Sequence, residues 1–262
     1  MGQRSLHDRR VIITGASSGV GRALAREMAR LGPRLLLTAR REGPLRELVA
    51  DVEKSGAASA ETVVGDVTDP QVRSRIVEHV LNQWGGLDVL VNNAGVSAHG
   101  RFADGDESTL RRVMEVNFFA TAELTRLLAP LLRAGQDPLI VNVASILGHR
   151  AIPHNSEYCA SKFALRGWSE SLRAELSRDR IGVLVVSPGT IDTEFFDHLI
   201  ADQADTPWAT QKGISPEAVA RQIVRAIRRR RHEIYPNWRG RFLVMINRLF
   251  PRFVDRVMNR YG

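Results

Sequence analysis

A single cysteine, Cys159, among 262 residues cannot form an internal disulfide, and it fits a reducing, cytoplasmic setting. Lysine is nearly missing too. Only Lys54, Lys162 and Lys212 stand among 37 basic residues, and arginine supplies the rest. No apolar run approaches the ~20 residues that cross a bilayer, and the polar start MGQRSLHDRR has no signal-peptide apolar region. A myristoylation motif fails at Leu6, where Ser or Thr is needed. Histidines, cysteine and carboxylates nowhere fall into metal-ligand spacing, so no metal is expected. These gaps exclude a disulfide-stapled secreted module, a membrane-spanning chain and a zinc domain. Repeats, low-complexity segments and linkers are also lacking, so the chain reads as one large α/β domain.

What is present begins with charge. The net value of +8 raises the idea of a nucleic-acid partner, but its placement argues against one. Residues 221–262 hold twelve arginines against Glu233 and Asp255, which leaves the first 220 residues at a net −2. Basicity belongs to the tail.

Short apolar runs recur at the pitch of alternating strands and helices. Strands are expected at RVIIT (10–14), RLLLT (34–38), ETVVG (61–65), LDVLVN (87–92), LIVNVAS (139–145), IGVLVVS (181–187) and, more weakly, HEIY (232–235). Helical spacing fills the intervals, at 21–31, 71–84, 107–133 and 157–178 among others, and Ser215 with Pro216 opens a further helix. Strands of continuous Val, Ile and Leu, each followed by a helix, predict a parallel sheet covered on both faces.

The turn TGASSGVG (14–21) joins the first strand to the first helix. There a dinucleotide pyrophosphate meets helix N-terminal amides and the positive end of the helix dipole. Gly15 permits the sharp turn, Gly19 a close backbone approach, and Gly21 the packing of helix on strand. At the end of the second strand an NAD site would carry an acid for the ribose 2′-hydroxyl. Ala39 stands there instead, followed by Arg40 and Arg41. Arg40 can fork onto a 2′-phosphate, so NADP(H) is favoured over NAD(H). GDVTD then sets Asp66 and Val67 against the adenine.

In YCASK, Tyr158 and Lys162 lie one helical turn apart and share a face. A free phenol titrates near ~10 and is poorly matched to neutral-pH proton transfer. A neighbouring ammonium would lower that value and could also bind ribose hydroxyls. Arginine, bulkier and forked, would not serve. Ser145 ends a strand at the sheet's carboxyl edge, where ligands of such folds bind, and VNNAG (91–95) ends another. In the latter, Asn92 closes a turn and is compatible with walling the cofactor.

Taken together these segments resemble the short-chain dehydrogenase/reductase family, from about residue 9 to 235. TGASSGVG, NNAG, Ser145, YCASK and SPGTIDT (187–193) stand in the family's order and spacing. The resemblance implies a doubly wound, Rossmann-type sheet in three α/β/α layers, a nicotinamide cofactor, and interconversion of an alcohol and a carbonyl. It makes Tyr158 the general acid/base, with Ser145 holding the substrate oxygen and Lys162 tuning Tyr158 and binding ribose. Asn117, in MEVNFFAT, matches a helix asparagine that holds a water in the proton relay. Cofactor contacts are implied at Gly15, Ser17, Ser18, Gly19, Val20 and Gly21, at Asn93, Ala94 and Gly95, and at Pro188, Gly189, Thr190 and Thr193. The turn lacks the basic residue often seen there in NADP-preferring members, so that preference rests on Arg40 with Ser17. A homodimer or homotetramer through the helices around 107–133 and 157–178 is implied as well. The rival reading is a nucleotide-binding sensor or scaffold without catalysis, and the complete set of Asn117, Ser145, Tyr158 and Lys162 argues against it. A nucleotide-sugar epimerase would need a larger C-terminal domain.

The catalytic domain is read as residues 1–237, with a substrate lid at about 190–214. Phe195, Phe196, Leu199, Ile200 and Trp208 make the lid apolar and point to an apolar substrate. His99, His149 and His154 are read as surface loop residues, Cys159 as a packed thiol, and Trp84, Trp168 and Trp238 as core or interface packing. In the tail, 238–262, Pro251 divides two short helices at about 238–249 and 251–260. Arg248, Arg252 and Arg256 form one stripe, and Phe242, Ile246, Leu249 and Phe253 another. The tail either folds over the pocket or a second subunit, or makes peripheral membrane contact, in that order; nucleic acid stands far behind.

Overall fold

Each predicted strand segment forms a strand in the computed structural model, which describes residues 2–195, 199–202 and 213–261. They are β1 (Arg10–Thr14), β2 (Arg34–Ala39), β3 (Ser59–Val64), β4 (Val89–Asn92), β5 (Leu139–Val143), β6 (Gly182–Val186) and the short β7 (Glu233–Ile234). The sheet order is β3-β2-β1-β4-β5-β6-β7, and every neighbouring pair is parallel. Helices α1 (Gly19–Ala29), α2 (Glu42–Lys54), α3 (Pro70–His79), α4 (Glu107–Met114), α5 (Ala120–Arg133), α6 (Ser156–Glu175) and α7 (Pro216–Arg228) connect the strands, and α8 (Trp238–Leu249) and α9 (Pro251–Met258) form the tail.

Successive strand residues point to opposite faces, and both faces are covered. Val11, Ile13, Leu35, Leu37, Val89 and Val91 join one apolar cluster with residues of α1, α2 and α7. Ile12, Leu36, Leu90 and Ile140 join the other, with residues of α3 and α5. Two buried faces explain why the strands read as unbroken Val/Ile/Leu runs rather than alternating ones. Each such side chain contributes about 1.5–3 kcal/mol on burial.

The strand order reverses between β1 and β4, the switch point at whose carboxyl ends open α/β sheets bind ligands. The opposite edge is structural: Arg10 pairs with Asp88 at 2.8 Å, and Arg4 and Arg230 both hold Asp137. Three helix starts at the ligand edge are closed by a side chain, Asp69 on Gln71 N, Asp106 on Thr109 N and Ser215 on Ala218 N, whereas α1, α2 and α6 have no side-chain cap bond. Helix α1 is different. Of the three starts without a side-chain cap bond it alone has no acid in its first turn, where α2 carries Glu42 and α6 Glu157.

Two expected helices are divided: residues 71–84 run as α3 and a π-helical turn at Val80–Trp84, and the longer one is split as well. Residues 107–133 run as α4 and α5 around a π-helical turn at Glu115–Phe119, which contains Asn117.

Candidate active site

A cavity of about 870 Å³ opens at the carboxyl edge beside the switch point. The expected catalytic and cofactor residues line it except Asn92, Gly21 and Asn117. Gly21 lies beneath: a Cβ there would come within 2.3 Å of Gly15 O, so glycine lets α1 pack against the turn.

Tyr158 and Lys162 face the cavity from α6. Ser145 comes from just past β5, where its Oγ accepts from Leu147 N at 3.1 Å and shapes the turn at Ile146–Gly148. The Tyr158 phenol hydrogen-bonds Ser145. Lys162 Nζ donates to Val143 O at 3.0 Å and lies 5.5 Å from the centre of the Tyr158 ring. Gly148 fixes the two segments together, because a Cβ there would meet Lys162 O at 2.6 Å.

The electrostatics differ from the simple pair argument. Burial pushes the Tyr158 phenol above its ordinary value, with the Ser145 hydrogen bond working against it. Burial also pulls the Lys162 ammonium down to about 8. Burial penalises the charged form of both groups; Lys162 still carries its proton at neutral pH but is not what sets the phenol, whose shift comes from burial.

Asn117 stands behind this group. Its Oδ1 accepts from Val96 N, and its Nδ2 donates to Val96 O and to Ser161 Oγ, each at 2.9 Å. Ser161 Oγ in turn donates to Tyr158 O at 2.7 Å. The side chain therefore clasps the NNAG loop to α6. Gly95 leaves the space between them, since an added Cβ would sit 3.3 Å from Asn117 Oδ1 and 3.6 Å from Lys162 Nζ. Phe195 presents its ring edge to Tyr158 at 6.0 Å between centroids. Phe196 and Trp208 lie outside the described residues.

The opposite half of the cavity suits a dinucleotide. The uncapped start of α1 turns amides toward it beside Gly15, Ser17 and Gly19, and the backbone of Gly15 has φ +63° and that of Gly19 φ +49°. Arg40 and Arg41 both line it, and Arg41 Nη2 donates to Ser17 Oγ at 3.5 Å. Glu194 lies 3.7 Å from both Arg22 and Arg41. Asp66 also lines the cavity. Although burial would raise its pKa, hydrogen bonds from Thr68 and Arg112 hold it below the usual carboxylate range.

Several readings need correction. Asn92 does not wall the cavity; it is buried, donating to Thr125 Oγ1 at 3.0 Å and Asn142 Oδ1 at 2.9 Å. Its neighbour Asn93 reaches the turn instead, donating to Thr14 O at 3.0 Å and Gly15 O at 3.2 Å. Thr14, not singled out in the sequence, accepts at Oγ1 from both Asn93 N and Ala94 N and so ties β1 to the end of β4. His99 and the side chain of His149 are buried rather than on the surface. His149 Nε2 lies 3.1 Å from Ser187 Oγ and 3.1 Å from Glu233 Oε1, against the Tyr235 ring, and so ties the Ser145 turn to β6 and β7.

The tail packs on this same turn. A Cβ on Gly240 would meet Ile146 Cγ2 at 2.8 Å, and Arg150 holds Asp255 at 2.6 Å and Asn247 at 3.3 Å. Leu243 and Met258 thereby enter the cavity wall.

Comparison with known proteins agrees with this geometry. The family model described as short chain dehydrogenase matches residues 9–204. The hydroxysteroid 11-beta-dehydrogenase 1-like protein A of Xenopus laevis is 33% identical, over 100% of this chain and 89% of its own length. Among solved structures, a short chain dehydrogenase/reductase from Burkholderia phymatum in complex with NAD superposes with a TM-score of 0.86 at 26% identity, covering 95% of this chain and 96% of its own. An alcohol dehydrogenase from the archaeon Thermococcus sibiricus, complexed with 5-hydroxy-NADP, gives 0.76 at 25% identity, covering 87% and 95%. The chain belongs to the short-chain dehydrogenase/reductase family. It is accordingly an NAD(P)-dependent oxidoreductase acting on alcohol and carbonyl groups.

Proposed function

We propose that the protein is an NADP(H)-preferring oxidoreductase that interconverts an alcohol and a ketone or aldehyde on an apolar small molecule, with Tyr158 as general acid/base. The observation that carries this reading is the convergence of Tyr158, Ser145 and Lys162 on one wall of the cavity. When bound, the nicotinamide cofactor supplies or accepts the hydride. The protein's part is the proton. Tyr158, kept protonated by burial, donates to the substrate oxygen in the reductive direction and takes that proton back in the oxidative one. Ser145 offers its hydroxyl to the same oxygen, and the Lys162 ammonium stabilises the phenolate as it forms. Asn117 holds the loop against α6, compatible with the water-relay role implied by its family position.

Arg40, Arg41 and Ser17 offer donors where an NAD site carries an acid, which favours a ribose 2′-phosphate. The far wall is apolar, with Ile146, Leu147, Phe195, Leu199, Leu243 and Met258, and it suits an apolar carbonyl compound. The name of the Xenopus relative points the same way. Phe119 and Phe163, exposed beside α5 and on α6, support a homodimer or homotetramer through those helices. The lone cysteine, buried and unpaired, is compatible with work in the cytoplasm.

The test is a panel of apolar ketones and alcohols assayed with NADPH and NADH. Turnover with NADPH at lower KM than with NADH supports the reading. Tighter binding of NADH than of NADPH overturns the cofactor assignment, and no turnover across the panel with either cofactor favours a sensor or scaffold.

A further inference from the structure

A helix seated on a protein by one face ordinarily turns a polar face to water. Helix α8 does not. Its buried side carries Gly240 and Val244 against the Ser145 turn, yet Trp238, Phe242, Met245 and Leu249 stand outward, between 50% and 72% exposed. Their spacing of four, three and four residues places them on one continuous stripe. Phe250, at the junction of the two helices, and Phe253, in the first turn of α9, are also exposed, at 61% and 58%. Single exposed apolar residues are ordinary, but four on one helical stripe with two more just beyond it mark an interaction surface.

The charges around this stripe have one sign. Arg239, Arg241, Arg248, Arg252, Arg256 and Arg260 are all exposed on the tail. The single carboxylate side chain among residues 238–261, Asp255, is held by Arg150. A second copy of the same face would set arginines against arginines with no acid to offset them. A duplex nucleic acid would engage the arginines and leave the apolar stripe in water. A lipid surface with anionic headgroups meets both needs, since the rings and aliphatic groups enter the interface while the arginines meet the phosphates. Among the described residues no helix is long and apolar enough to cross a membrane, so the fit is to lying on one.

We infer that the outer face of α8 and α9 is a docking surface for an anionic lipid membrane. The inner face of the same helices supplies Leu243 and Met258 to the cavity wall, so docking sets the cavity beside the lipid. That last consequence, entry of an apolar substrate from the bilayer side, rests on the functional reading above; the docking itself does not.

Sedimentation of the full chain with vesicles reads docking without turnover. The protein should sediment with phosphatidylcholine vesicles that contain phosphatidylglycerol at low salt, and much less at high salt or with phosphatidylcholine alone. The double variant Phe250→Ser, Phe253→Ser should bind at least about tenfold more weakly. Arg252→Gln with Arg256→Gln should cost about fivefold for each charge. All four positions are exposed, and an unchanged circular dichroism melt checks that the variants fold. A wild-type protein that stays in the supernatant with both vesicles overturns the proposal, as does equal binding to neutral vesicles at high salt. Light scattering in which the Phe variants alone lose a dimer would assign the face to a second copy and overturn it as well.

Discussion

Replacing Lys162 by methionine removes a buried charge while keeping most of the side-chain length. Burial pulls this ammonium from 10.5 to about 8, so the folded chain disfavours the charge that the unfolded chain carries freely. At ~1.4 kcal/mol per tenfold that gap corresponds to about 3 kcal/mol. The variant loses the hydrogen bond to Val143 O, which returns about 1 kcal/mol. The cofactor-free variant should therefore be more stable than the parent by about 2 kcal/mol at neutral pH. The folded-state pKa is depressed, so the cost is full below about 8, falls as pH rises, and ends near 10.5. Urea unfolding of both proteins across that range measures the difference, and other titrating groups cancel because both chains share them. Turnover should fall at the same time, since the phenolate loses its counter-charge. A variant no more stable than the parent at neutral pH, or an advantage that persists unchanged to pH 10.5, would refute the reasoning.

Three further outcomes follow from the geometry. Arg41→Ala should weaken NADPH binding by about ten- to a hundredfold and leave NADH nearly unchanged, by fluorescence titration. Arg40→Asp should reverse the preference toward NADH by repelling phosphate and offering an acceptor to the ribose hydroxyl. Gly148→Ala forces a Cβ to within 2.6 Å of Lys162 O, so it should destabilise the fold by about 1–3 kcal/mol in urea and lower kcat by separating Ser145 from Tyr158.

Much of this molecule is legible in the amino-acid order, for identifiable reasons. The strands are buried on both faces, so Val11 to Ile13 or Leu139 to Val141 stand out as continuous apolar runs. Tyr158 and Lys162 are local partners on one helix, and helical spacing alone brings them together. What escapes is decided by parity or by distant contacts. Asn92 shares the side of Leu90 and turns toward α5, while Asn93, one residue later, reaches the glycine turn. His149 is buried by Ser187 and Glu233, partners far along the chain that no local pattern announces. The π-helical turn at Asn117 has no sequence mark. Helix α8 is apolar around a full turn, so periodicity could not choose its inner face. Gly240 is the signal that could have, because a glycine in a helix marks a close approach, here to Ile146.

The central claim is that Tyr158 moves the substrate proton. It is tested by Tyr158→Phe, assayed for NADPH-dependent reduction of the best carbonyl substrate together with NADPH affinity. The account predicts a fall in kcat of about 100- to 10,000-fold, with cofactor affinity nearly unchanged. A Tyr158→Phe variant that turned over at the parental rate would contradict it.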